Sequence, residues 1–219
     1  MGNLFNMDNP LFSMLSKIFD MLFVSIVFIF LCIPVVTIGP ASTALYYSVV
    51  KVVRRERGYI FREFFRSFRL NFKRAAIMGV ILTIVFVILG FDLLYAWGMT
   101  GTEGSKGSLL MGVFVGITFL AVSFTIYVFP ILSRFDMSMK QLFKAAAFMS
   151  MRHILFTIVM IIVHGVALVA IYFFFPFVFL APAAIVLVNS LLMERIFRRY
   201  MPESDGPGEE TGKDEWYLE

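Results

Sequence analysis

Residues 153–193 read HILFTIVMIIVHGVALVAIYFFFPFVFLAPAAIVLVNSLLM, 41 positions without an Asp, Glu, Lys or Arg. A hydrocarbon layer of about 30 Å is crossed by about 20 helical residues at about 1.5 Å each. The run is therefore long enough for two crossings. Pro176 stands near its middle, between Phe175 and Phe177, and proline lacks the N–H that would continue a helix. A helical hairpin with a tight turn around Phe174 to Phe177 is expected. Barrel strands would alternate apolar and polar positions, whereas this run is apolar on every face.

The rest of the chain extends the pattern. Met21 to Val50, Ala75 to Phe91 and Gly107 to Ser133 carry no charge over 30, 17 and 27 residues. Pro34 and the pair Gly39-Pro40 interrupt the first of these, so a span that begins near Lys17 ends by Ile38. Ala41 to Val53 then forms a second helix, too short to span. The expected fold is an all-α polytopic transmembrane bundle of about five spans: 17–38, 75–97, 108–132, 153–174 and 177–194. A six-span or re-entrant version, in which Ala41 to Val53 dips into the membrane, is the alternative.

Composition agrees. Hydrophobic residues make up 60% and charged residues 16% of 219, too few charges to cover a water-soluble domain. Phe is abundant, glycine has no triplet period and Cys32 stands alone; a disordered chain, a collagen-like fibre and a disulfide scaffold are excluded. No cleavable leader is expected, because Lys17 is the one base before the first span and no small-residue cleavage site follows. Residues 1–199 are read as one transmembrane domain.

The connectors divide by charge. Segment 51–74 carries nine bases against Glu56 and Glu63, and 133–152 carries four against Asp136; 98–107 holds only Glu103 and Lys106. Arg195, Arg198 and Arg199 follow the last span. The positive-inside rule puts the basic regions in the cytoplasm. Five spans then give a cytoplasmic C-terminus and an extracellular N-terminus, and six give an N-terminus inside. Residues 200–219 hold seven acids and Lys213 and are read as an acidic, disordered cytoplasmic tail.

Within the basic segment, Phe61, Phe65, Phe68 and Phe72 share a helical face, and Arg62, Arg66, Arg69 and Lys73 repeat the spacing one residue on. An amphipathic helix at the membrane surface after the first span is expected, its rings toward acyl chains and its four bases toward lipid headgroups or a partner. Leu142-Phe143-Lys144 loosely echoes Phe64-Phe65-Arg66. The bases serve topology, and no nucleic-acid recognition motif accompanies them.

Two ionisable groups within spans are singled out: Asp92, near the expected outer boundary with Tyr95 and Trp97, and His164, near mid-membrane. Thr157 and Asn189 are read as interhelical hydrogen-bonding groups, and Gly112 and Gly116 as a Gly-x-x-x-Gly close-approach motif. No catalytic signature, phosphate-binding loop, cofactor site or metal-ligand pattern is present in the sequence, so a non-enzymatic protein without a cofactor or metal is expected.

Three stretches carry a family resemblance: Met1-Gly2-Asn3-Leu4-Phe5-Asn6-Met7-Asp8-Asn9-Pro10, the block from Ile33 to Tyr47, and Gly58 to Ser67 with Phe68, Asn71, Phe72 and Lys73. Together they resemble the YesL-like family of bacterial membrane proteins of unknown function, over about residues 1–75 and more loosely beyond. Pro40 departs from the family pattern, which runs from Gly39 directly into Ala-Ser. The resemblance implies a bacterial plasma membrane and an association with carbohydrate uptake of the binding-protein-dependent kind. A sugar ABC-type permease or its ATPase then becomes the expected partner beside the lipid bilayer. It assigns no activity and no site residues. The competing readings are a small transporter or channel, with His164 lining a path, and a membrane scaffold or sensor.

Overall fold

In the computed structural model, residues 10–101 and 104–200 are described, with side chains from Met14 onward in the first helix. The acidic tail beyond Tyr200, the start of the family-like stretch and Glu103 lie outside the described residues. The described residues form seven α-helices: α1 Pro10–Leu31, α2 Ile38–Ser48, α3 Ile60–Thr100, α4 Ser105–Arg134, α5 Met139–Arg152, α6 Ile154–Phe173 and α7 Ala181–Phe197. Among the described residues, α1, α3, α4 and α6 are long and apolar enough to cross a membrane. Four of the five expected spans fall on these helices. The fifth, 177–194, divides into a 3-10 turn, Phe175–Phe179, and the 17-residue α7.

The break at Pro34 falls earlier than expected. α1 stops at Leu31, and Pro34 leads into a short 3-10 turn, Val35–Thr37. Thr37 Oγ1 donates back to the carbonyls of Leu31 and Pro34, so the reversal satisfies its own backbone. Pro40 sits in the first turn of α2, where its missing N–H costs no hydrogen bond.

α2 is the hub. Its residues Gly39 to Leu45 are largely buried, and the π-helical turn Val49–Arg54 that continues it buries Val49, Val50, Lys51, Val52 and Val53. One apolar cluster joins α2 to α1, the start of α3 and Ala183 of α7; the other joins Tyr46 and Val50 to α3, α4, α5 and the end of α7. The short helix thus needs no lipid contact. Its hydroxyls are satisfied within the turn, Ser42 to Ile38 O at 2.8 Å and Thr43 to Gly39 O at 3.1 Å.

Glycine sets the closest crossing. A Cβ on Gly39 would stand 2.0 Å from the carbonyl oxygen of Ala75, and one on Gly79 would stand 2.8 Å from Gly39 N. α2 and α3 therefore touch backbone to backbone. The expected small-residue interface is elsewhere: a Cβ on Gly112 or Gly116 would meet nothing within 4 Å.

The amphipathic segment differs from the separate surface helix that was expected. It runs without a break into the next span as α3, 41 residues, about 60 Å at 1.5 Å per residue. Ile60, Glu63, Phe64 and Ser67 form its buried face. Phe61, Phe65, Phe68 and Phe72 make a flanking ladder of rings with successive centroids 4.7, 6.5 and 5.4 Å apart. The later echo is built differently. A capping box between Ser138 and Gln141 starts α5, and the helix ends at His153, whose φ and ψ of −109° and 42° separate it from α6.

The direction of α1 follows from its contacts. Lys17, near its start, pairs with Glu56 of the basic connector, and Phe23 lies 6.0 Å from Phe61. Further on, Ser25 Oγ accepts from Ala183 N at the far end of α7. The first described turns of α1 thus share a bundle face with 51–74, with Asp136 bound to Arg74, and with Tyr200 bound to His153. This packing places the start of α1 and the basic connector at one end of the bundle. α1 and α2 form a hairpin, because α2 is sheltered by protein and returns to the basic face.

Candidate functional site

A cavity of about 480 Å³ lies beside α2, lined also by α1, α3, α4, α6 and α7. Its wall is mainly apolar, with Phe28, Phe86, Ile126, Phe129 and Ile185 among the lining residues. The local sequence explains the space. Pro182 and Pro130 place compact rings on α7 and α4 where longer side chains would fill it, and Ala181 and Ser42 add small side chains.

The few polar groups on the wall differ in their state. Ser42 and Thr125 donate to carbonyls one turn back, both at 2.8 Å. His164 places Nδ1 2.8 Å from the carbonyl oxygen of Met160. A carbonyl only accepts, so Nδ1 carries the proton, and Nε2 has no partner among the described residues. Asn189 is 6% exposed, and its Oδ1 has no hydrogen-bond partner among the described residues. Leaving such a buried acceptor unmet costs about 1–3 kcal/mol.

An ionic cluster adjoins the cavity without lining it. Tyr46, on the cavity wall, donates its hydroxyl to Glu194 Oε1 at 3.1 Å. The same oxygen accepts from Arg134 Nε at 2.9 Å, Oε2 accepts from Arg134 Nη2, and Arg55 Nη2 reaches Oε2 at 3.4 Å. Arg54 Nη1 donates to Ser190 O at 2.7 Å. Glu194 is 2% and Arg134 6% exposed. Charges so buried persist only when paired and hydrogen-bonded, and this group ties α2, its π-helical turn, α4 and α7 into one arrangement. Arg55 lies outside the spans, and burial pulls its guanidinium below the ordinary arginine value, with Arg134 adding to the effect and Glu194 opposing it.

A second buried pair supports the connector. Lys51 Nζ donates to Glu63 Oε2 at 2.9 Å and to Tyr47 Oη at 3.3 Å. Gly58, at φ +83°, would press any Cβ to 3.1 Å from Glu63 Oε1, so the turn before α3 needs a residue without one.

The residues singled out from sequence fall into separate places. Arg62, Arg66, Arg69 and Lys73 are all exposed along the basic end of α3. His164 lines the cavity; Asp92, half-buried on α3, does not, so the two are not brought together. Thr157 joins α6 to α4 through Tyr127, at 3.1 Å. Asn189 joins no other helix among the described residues; it faces unfilled space.

Sequence reasoning missed Glu194, the acid at the centre of the polar cluster. The signal was present, since Glu194 is the one acid between Asp136 and Glu203 and stands among Arg134, Arg195, Arg198 and Arg199 in a chain that otherwise crowds bases there. Arg134 and Arg55 were counted toward loop charge, although both turn inward.

The family described as "Protein of unknown function, DUF624" matches residues 18–93. That region is most of the α1–α2 hairpin, the basic turn and the greater part of α3. No curated protein matches the chain, and no solved structure matches it. Helical throughout its described elements, with four helices fit to cross a bilayer, the chain is an integral membrane protein similar over residues 18–93 to a family of unknown function.

Proposed function

We propose that this protein is a non-enzymatic accessory component of a bacterial sugar-uptake system, held in the plasma membrane with its basic face in the cytoplasm. It acts by docking a transporter permease or its ATPase on that face. One observation carries the reading: Arg62, Arg66, Arg69 and Lys73 are exposed on the continuous helix α3. A membrane-surface anchor would lie flat on headgroups. A stripe continuous with a span and braced by the buried Lys51–Glu63 pair is held at a fixed angle, which suits recognition of a partner's acidic surface.

Affinity capture of the tagged protein from native membranes tests this. Recovery of a sugar permease or ATPase with the wild-type chain, lost on reversing Arg62, Arg66, Arg69 and Lys73 to Glu, is the expected result. A wild-type protein that purifies alone, with sugar uptake unchanged in a deletion strain, overturns the proposal.

A further inference from the structure

We infer that the cavity beside α2 is a binding site for one uncharged, single-chain amphiphile that carries a hydroxyl group, drawn laterally from the bilayer, with Asn189 as the group that reads the hydroxyl. Three observations lead there. First, about 480 Å³ with an apolar wall falls in the range of drug-sized ligand sites, which suits one acyl-type chain. Second, an apolar cavity that only needed to be empty would have no use for an amide. Asn189 is more than nine-tenths buried and lines this space, and its Oδ1 lacks a donor among the described residues. An amide carbonyl oxygen accepts, so the ligand must donate. Nε2 of His164 stands on the same wall, its Nδ1 already committed to Met160 O, and in the uncharged ring it too accepts.

Third, the lining sets the charge of the occupant, because no Asp, Glu, Lys or Arg stands among the lining residues. Glu194 already engages Arg134 and Arg55 and holds the Tyr46 hydroxyl behind the wall. A charged headgroup would therefore enter an apolar space with no counter-charge on its wall. An uncharged hydroxyl meets Asn189 without disturbing the cluster. The walls α1, α4 and α6 are themselves able to cross a membrane, so the site is reached from lipid.

The experiment uses the full chain in phosphatidylcholine nanodiscs and a photoreactive long-chain alcohol, compared with the same probe lacking its hydroxyl. Labelled peptides are mapped by mass spectrometry as the mole fraction of probe is raised. Saturable labelling of 181–193 by the alcohol is expected, with about tenfold weaker labelling by the alkane, the value of one hydrogen bond. Asn189→Leu should remove that discrimination while keeping alkane labelling, and Ile185→Trp should abolish saturable labelling by filling the space. The comparison of alcohol with alkane on the wild-type chain needs no variant to fold. Labelling that never saturates, equal labelling by both probes, or a structure with only water on Asn189 overturns the inference.

Discussion

Replacing Glu194 by Gln keeps its shape and removes its charge. In the native protein the carboxylate receives two hydrogen bonds from Arg134, one from the Tyr46 hydroxyl and a longer one from Arg55. Glutamine has one carbonyl oxygen to offer, and its NH₂ confronts a donor. Arg134, 6% exposed, then carries a buried charge without a counter-charge at Glu194. Breaking a buried pair in this way costs about 3–5 kcal/mol. For a chain of this size each kcal/mol moves the midpoint by about 2–4 °C, so thermal unfolding in detergent should begin about 6–20 °C lower. The double change Arg134→Met with Glu194→Leu removes both charges into an apolar setting and should recover most of that loss. A Glu194→Gln protein within about 2 °C of wild type refutes the reasoning, because it means that water or a mobile Arg134 already neutralises the site.

Three further outcomes follow from the same coordinates. Gly39→Ala should destabilise by more than about 3 kcal/mol, since the added Cβ meets backbone at 2.0 Å; Gly116→Ala, in open space, should be neutral or stabilising by about 0.5–1 kcal/mol, and thermal midpoints compare them. Burial holds the His153 imidazole below its ordinary 6.5, with Arg199 and Arg152 adding repulsion. The unfolded chain takes the proton first as pH falls, so this contribution to stability is complete above about 6.5 and is lost as pH falls through the lower folded value; His153→Gln should flatten the stability profile between about pH 8 and 5 relative to wild type. Reversing Arg62, Arg66, Arg69 and Lys73 should leave the melting temperature within about 2 °C, because exposed charges contribute little to stability, while partner capture is lost.

Apolar run length was enough to read a helical membrane protein, because a bilayer removes the usual exchange between local propensity and tertiary contacts. What run length could not convey was which helix is sheltered by the others. Ala41 to Val53 is short and apolar, and nothing local tells whether it turns on the surface or fills the centre. Its small residues, Gly39, Ala41 and Ala44, matter only once Gly79 is opposite. Parity of crossings turns on that helix, and with it the side on which α1 begins. Charge counting sees a loop's total and not the direction of each side chain. It therefore missed Arg134 and Arg55 turning inward toward Glu194. His164 was legible as unusual because ionisable groups are rare in spans. The isolation of Asn189 was not, since an interhelical partner and an empty cavity leave the same letter in the sequence.

The hairpin is the claim on which the topology, the shared basic face and the sheltered α2 all depend. Labelling of single cysteines by a membrane-impermeant maleimide, in a Cys32→Ser background in sealed vesicles, tests it directly. Cysteines at Lys17 and Arg57 should react from one side of the membrane and a cysteine at Gly98 from the other. Lys17 and Gly98 reacting together, opposite Arg57, would contradict it.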